Sequence, residues 1–266
     1  MGTTRFYKFR QVGDDLAMDN ALDALVNSYA IFSGRKNFND PFDSKIDIVH
    51  PTPPEILTLL QRPSIGAHPR TIINNWVSNG AFTPNGAVSL SKFETELSDM
   101  FDTYPIYSLS SHNTCNLLWA HYASCHTGFC IELEFAAEQP TKVSYQEHIG
   151  SIALLDLLKF NLKLDAGNDL GQRIRDALLI KLKCWSYERE YRWIASNAMG
   201  RVAKGQRFIK VNYDPQQVKA VIFGCRMSPR VKTYIYKRLP FSTEFQQAIE
   251  MKDRIEIVRF DEHRHL

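Results

Sequence analysis

The chain has 266 residues, 44% of them apolar and 23% charged, with a formal net charge of +3. That balance is ordinary globular composition and fits one large domain, residues 1–266, with room for a substantial core. No run approaches the roughly 18–20 apolar residues a spanning helix needs, and Met1–Arg10 lacks the apolar stretch of a signal peptide, so the expected address is the cytoplasm with no membrane partner.

In chain order, Arg5–Arg10 alternates aromatic and basic residues, the period of a half-buried strand. Asp19 stands as an N-cap before a helix to Val26, and Tyr29–Ser33 reads as a short apolar strand. FNDPFD (38–43) is rich in turn-forming residues. Residues 51–105 read as a helical insertion packed on a sheet, with helices at Pro54–Leu60, Pro69–Ser78 and Lys92–Tyr104. A strand over Ile106–Ser110, a helix over Asn113–Ala123 and a strand over Gly128–Phe135 follow. Ile149–Leu164 and Leu170–Leu182 read as helices. Glu190–Ala195, Phe208–Tyr213 and Val218–Gly224 read as strands by their β-branched and aromatic content. Ser228 and Pro229 open a helix to Leu239, and Arg254–Phe260 is a last strand. This order predicts an α+β fold rather than a regular βαβ alternation. With no glycine-rich loop after a strand, dinucleotide-fold and P-loop readings are poor.

The charge is uneven. Residues 1–180 carry 14 basic and 20 acidic side chains, and residues 181–266 carry 18 and 9. Between Arg201 and Arg238 ten Lys/Arg face the single acid Asp214, an excess suited to phosphates and otherwise read as a solvated face. The five cysteines are scattered without a Cys-x-x-Cys pair, and most of them read as small buried hydrophobes.

Four clusters carry chemistry. Glu188 and Glu190 in WSYEREYR (185–192) are expected on one strand face, where two carboxylates share a cation or raise each other's pKa. The bland alternative is an ion pair with Arg189 or Arg192. The flanking Trp185, Tyr187, Tyr191 and Trp193 suggest a wall for a flat ring. His121, Cys125 and Cys130 have spacings that invite zinc, but Cys130 falls inside an apolar strand, so no metal is expected. Asn39, Asp40 and Asp43 read as a turn framing a pocket, with a divalent-metal site as the alternative. Ser108 and Ser110 end a strand without a nucleophile elbow, which argues against a serine hydrolase.

Taken together, YKFR (7–10), FS (32–33), FNDPFD (38–43), SLS (108–110), NLLWAHYA (116–123), HTGFCIE (126–132) and KLKCWSYEREYR (181–192) resemble, in order, the domain-of-unknown-function family numbered 2971. That likeness spans about residues 5–225. More remotely, the order of elements is similar to the ADP-ribosyltransferase superfamily, including its nucleic-acid-modifying toxins. That second resemblance implies a split β-sheet core with peripheral helices, gripping NAD as substrate. It implies Glu190 as the late catalytic Glu and Glu188 as its helper. Tyr7, Lys8, Arg10, Asn39, Tyr107, Ser108, Ser110, His121 and Tyr122 would contact NAD, with Tyr107 or Tyr122 stacking on nicotinamide. Lys8 departs from the His or Arg of those enzymes, and Arg10 is the substitute. The same resemblance implies a nucleic-acid acceptor (RNA before DNA), a toxin or phage-defence role, and a neutralising antitoxin protein. A non-catalytic binding module and a metal-dependent nuclease using Asp40, Asp43, Glu188 and Glu190 are the alternatives.

Overall fold

The computed structural model describes residues 3–136, 140–164, 170–240 and 242–265. It is a mixed α+β structure whose chain divides into two compact units. The first comprises residues 1–33, 105–143 and 183–266, and the second residues 34–104 and 144–182. Among the described residues no helix is long and apolar enough to cross a membrane.

The first unit is built on a ten-stranded sheet among the described residues. Its path runs Phe208–Asn212, Tyr29–Ser33, Ile106–Ser110, Thr3–Arg10, Phe129–Ala136, Val218–Phe223, Glu244–Glu250, Ile255–Arg259. Two more strands lie off that path. Glu190–Ile194 pairs along the whole of Ile106–Ser110, from Glu190 opposite Ser110 to Ile194 opposite Ile106. Thr141–Lys142 pairs with it in turn. The other edge of Ile106–Ser110 meets Thr3–Arg10 at a single register pair, Tyr7 with Ser110, and Tyr29–Ser33 at another, Ser33 with Ile106. The sheet therefore opens between these two points.

Alternation along the strands gives the sheet two apolar faces. On one, Phe6, Leu109, Ile131, Leu133 and Phe223 pack with Leu22, Leu25 and Ile235 of the helices Asn20–Val26 and Pro229–Tyr236. On the other, Phe9, Cys130 and Ile222 lie under Leu118 and Trp119 of the helix Asn116–Tyr122. Trp119 is fully buried, meets Phe9 edge-on at 5.1 Å, and donates from its indole N–H to the Asn113 carbonyl at 2.7 Å. Burial of a side chain this size stabilises by about 1.5–3 kcal/mol, so Trp119 fixes the helix that ends at Tyr122.

The second unit holds the helices Pro53–Leu60, Ala67–Asn74, Pro84–Asp102, Leu154–Asn161 and Leu170–Leu178. The helical stretch read at 51–105 lies here up to Tyr104, together with residues 34–50 and 144–182. Two parallel pairs complete the unit, Gly150–Ala153 on Ile46–Val49 and Ile180–Leu182 on Ser144–Gln146. Several expected helices are corrected. The helix read at Pro69–Ser78 is Ala67–Asn74, with Val77–Ser78 in a hairpin. The one read at Ile149–Leu164 begins as a strand and turns helical at Leu154. The one read at Leu170–Leu182 ends at Leu178 before a strand. In the last two cases a strand partner distant in sequence claims the apolar residues.

Candidate functional site

Glu188 and Glu190 do not share a strand face. Glu188 ends the 3-10 helix Lys183–Glu188, and Glu190 opens the strand Glu190–Ile194. Between them Arg189 has φ 44°, in the left-handed region. Both carboxylates are buried, at 4% and 3% exposure. Glu190 accepts from the Arg192 guanidinium, with Arg192 Nε at 2.8 Å and Nη2 at 3.3 Å. Glu188 Oε1 accepts from the Tyr122 hydroxyl at 2.6 Å.

The strand register assembles the polar groups around Glu190. Glu190 lies opposite Ser110, Ser110 opposite Tyr7, and Tyr7 opposite Glu132. Directly opposed residues point to the same face, so one row crosses four strands with Glu190, Ser110, Tyr7 and Glu132 on it. Arg192 lies opposite Ser108 on the same face. Ser110 Oγ donates to the Glu188 carbonyl at 2.7 Å and stands 3.0 Å from His112 Nδ1. Burial and the nearby Glu132 raise the Tyr7 pKa.

Tyr107 faces the other way. It is buried beside Phe32, ring centroids 5.3 Å apart, and burial pushes its phenol far up. Alternation sets it opposite the two serines, so as folded it packs in the core instead of offering a free stacking face. Lys8, one residue from Tyr7, also leaves Tyr7's face. Its ammonium donates to the Ser108 carbonyl at 2.7 Å and lies 4.7 Å from the Tyr107 ring centre, in the opening of the sheet.

A cavity of about 550 Å³ borders this opening, lined among others by Lys8, Arg10, Gln11, Asp19 and Tyr122. Asp19 is committed to structure. Its carboxylate caps the helix at Ala21 and Leu22 and accepts from Gly13 N–H at 2.7 Å. Tyr122 thus touches both the cavity and Glu188. Beside it, His121 Nδ1 is 3.0 Å from the Tyr187 hydroxyl, and the His121 ring meets Trp185 and Tyr187 edge-on. The aromatic wall read from WSYEREYR therefore gathers around His121, while Tyr191 and Trp193 turn into the opposite face to pack on Phe6 and Phe32. A second hollow of about 360 Å³, lined by Arg230, Tyr234, Lys237, Arg238 and Asp15, shares Asp15 with the first.

Asn39, Asp40 and Asp43 belong to the second unit. Asn39 is exposed. Asp40 accepts from Phe42 N–H at 2.9 Å, the self-bonded turn its sequence predicts. Asp43 is buried against Lys181, 3.1 Å from its ammonium. Cys130 is a buried core thiol whose pKa rises by desolvation, and Cys125 is exposed in a turn where Ser124, Cys125 and His126 all have positive φ. Among the described residues no group of three His, Cys, Asp or Glu stands in metal-binding geometry. His112 is the neighbour that sequence reasoning missed. Its signal was only its place two residues after Ser110.

Comparison with protein-family models, curated proteins and solved structures returned no match.

Proposed function

We propose that the chain is an ADP-ribosyltransferase that takes ADP-ribose from NAD and delivers it to a nucleic acid, RNA before DNA. Its setting would be a toxin or phage-defence effector held in check by an antitoxin protein. The observation that carries this reading is the row Tyr7, Ser110, Glu190 across three strands. Three of the residues that the superfamily resemblance implies thus share one face.

The residues suit NAD in kind. Lys8 and Arg10 line the cavity as cations for a diphosphate, and Tyr122 supplies an aromatic edge. The volume lies in the usual range for small-molecule sites, roughly 300–1,000 Å³. Cleavage of the nicotinamide–ribose bond develops positive charge on the sugar, as in glycoside hydrolysis. An ionised carboxylate beside the ribose stabilises that charge. Arg192 favours the ionised form of Glu190, while Tyr122 hydrogen-bonds Glu188 next to the cavity. Glu190 is assigned the ribose and Glu188 the helper role. The basic groups around Arg230, Lys237 and Arg238 suit the acceptor's phosphates.

The test is incubation with NAD labelled in the adenylate half, together with RNA, DNA or protein, followed by separation of the labelled fraction. Label on RNA that is lost in Glu188→Gln and Glu190→Gln variants, at equal folded concentration, is the expected result. The absence of any NAD consumption with all three acceptors sinks it. A second reading, a non-catalytic nucleic-acid or protein binding module, is favoured by one observation: both carboxylates already have protein partners. That reading expects RNA or protein binding without turnover.

A further inference from the structure

We propose that His112 accepts the acceptor's proton in the transfer reaction, presenting an unprotonated Nε2 beside the Glu188–Glu190 segment. This rests on the transferase reading and adds a residue which that reading does not contain.

The argument begins at Ser110, whose hydroxyl has one proton and two neighbours that compete for it. The Glu188 carbonyl oxygen, at 2.7 Å, can only accept. His112 Nδ1, at 3.0 Å, can either donate or accept. The hydroxyl proton goes to the carbonyl, which has the shorter contact and no alternative role. Ser110 Oγ is then an acceptor toward His112, and the His112 backbone N–H at 3.3 Å also points to it. Nδ1 must therefore carry the imidazole proton. In the neutral ring this leaves the lone pair on Nε2, which makes no hydrogen bond among the described residues.

The surroundings favour the neutral ring. Burial comes first and the positive charge of Arg189 second, and both lower the pKa of His112. Arg189 is the charged group acting on it. Glu188 faces it through Ser110 by its carbonyl, its carboxylate being turned to Tyr122. A half-buried imidazole that is neutral at physiological pH is a competent base.

The step balances without any further reagent. The acceptor's O–H or N–H attacks the ribose carbon that bears nicotinamide. The bond from that carbon to the pyridine nitrogen breaks, and nicotinamide leaves neutral with the bonding pair. The acceptor's proton passes to His112 Nε2, and the imidazolium returns it to water.

His112→Asn is the chosen variant, because its amide N–H can still donate to Ser110 Oγ while no base remains. Transfer from labelled NAD to RNA should fall at least ~100-fold, the lower end for general-base catalysis, with KM for NAD unchanged. The acidic limb of the wild-type pH–rate profile should disappear with it. Nitrogen NMR of ring-labelled wild-type protein should show Nδ1 protonated and Nε2 bare at pH 7.5. Normal transfer by His112→Asn, or a proton on Nε2, overturns the proposal. A wild-type protein that consumes no NAD sinks the transferase reading itself, and the NMR result still decides the tautomer.

Discussion

Tyr122 and Glu188, 66 residues apart in the chain, meet through a 2.6 Å hydrogen bond at the edge of the cavity that Lys8 and Arg10 line. The bond ties the end of the helix Asn116–Tyr122 to the end of the 3-10 helix Lys183–Glu188. Hydrogen bonds to charged groups contribute about 1.5–3 kcal/mol. Tyr122→Phe keeps the ring and removes the donor, so denaturant unfolding should show a loss near that range. If Glu188 works as the helper carboxylate, the same variant lowers NAD turnover by more than its loss of folded protein. A stability equal to wild type would mean that the hydroxyl is not bound to Glu188 in solution.

Glu190 and Arg192 form a deeply buried ion pair, with side chains 4% and 0% exposed. Removing one partner of such a pair costs on the order of 3–5 kcal/mol, because the remaining charge stays buried. Glu190→Gln should therefore lower stability markedly, whereas Glu190→Gln combined with Arg192→Met should lose less than the two single variants together. A double-mutant cycle by urea unfolding measures this coupling. The consequence for function is direct: turnover of Glu190→Gln has to be compared at equal folded concentration. Purely additive effects would show that the pair is not formed.

Much of the fold was legible where local chemistry decides it. Asp19 caps its helix through two backbone N–H groups, and Ser228 with Pro229 opens the helix to Tyr236. Partners distant in sequence were not legible. Glu244–Glu250 reads as polar, yet it lies between two strands with Gln247 buried and donating to the Phe223, Gly224 and Ala248 carbonyls. That Glu188 ends a 3-10 helix while Glu190 opens a strand goes with the left-handed φ of Arg189, which an Arg gives no reason to expect. The row from Tyr7 through Ser110 to Glu190 depends on register, which motif order leaves open. By contrast, the opposite facing of Tyr107 and Ser108 follows from alternation alone, and that signal was present in the sequence.

Gly128 and Gly224 hold the chain close behind Arg10. A Cβ on Gly128 would lie 2.1 Å from the Arg10 carbonyl oxygen, and one on Gly224 would lie 2.2 Å from the His126 carbonyl oxygen. Both contacts are to backbone, so a rotamer change cannot relieve them. Overpacking of this kind costs about 1–3 kcal/mol or more. Alanine at either position should lower the thermal midpoint, and at Gly128 it should also displace Arg10 at the cavity. Calorimetry of the two variants checks the first effect. A midpoint equal to wild type would contradict the close approach.

His112 and His126 both have pKa values held below the ordinary 6.5, in each case first by burial and then by a neighbouring arginine. The unfolded chain therefore binds protons at these residues more readily than the folded one does. By linkage, stability rises with pH wherever the unfolded state holds more protons. Acidification through 6.5 should thus lower stability until the folded values are reached, and the slope should be shallower in the His112→Asn, His126→Asn double variant. Urea midpoints from pH 7.5 to 5 measure it. A wild-type slope that the double variant leaves unchanged would assign the effect to other groups.

The helix Pro229–Tyr236 and the turn after it present Arg230, Lys237 and Arg238 on the hollow next to the candidate site, with the Arg238 guanidinium 3.6 Å from the Tyr234 ring centre. Cations of this kind bind a nucleic-acid strand by releasing its counterions, so affinity falls with salt in proportion to the phosphates neutralised. For single strands each phosphate contributes about 0.7 to the slope of log K against log salt, so removing three contacts should lower that slope by roughly 2. Arg230→Ala, Lys237→Ala and Arg238→Ala combined should weaken binding of a single-stranded RNA at low salt, with little dependence on sequence. Because these residues line a hollow separate from Glu188 and Glu190, NAD consumption without acceptor should persist in the triple variant. Fluorescence anisotropy across a salt series gives the slope. A slope unchanged from wild type would move the acceptor's path away from this helix without touching the assignment of the carboxylates.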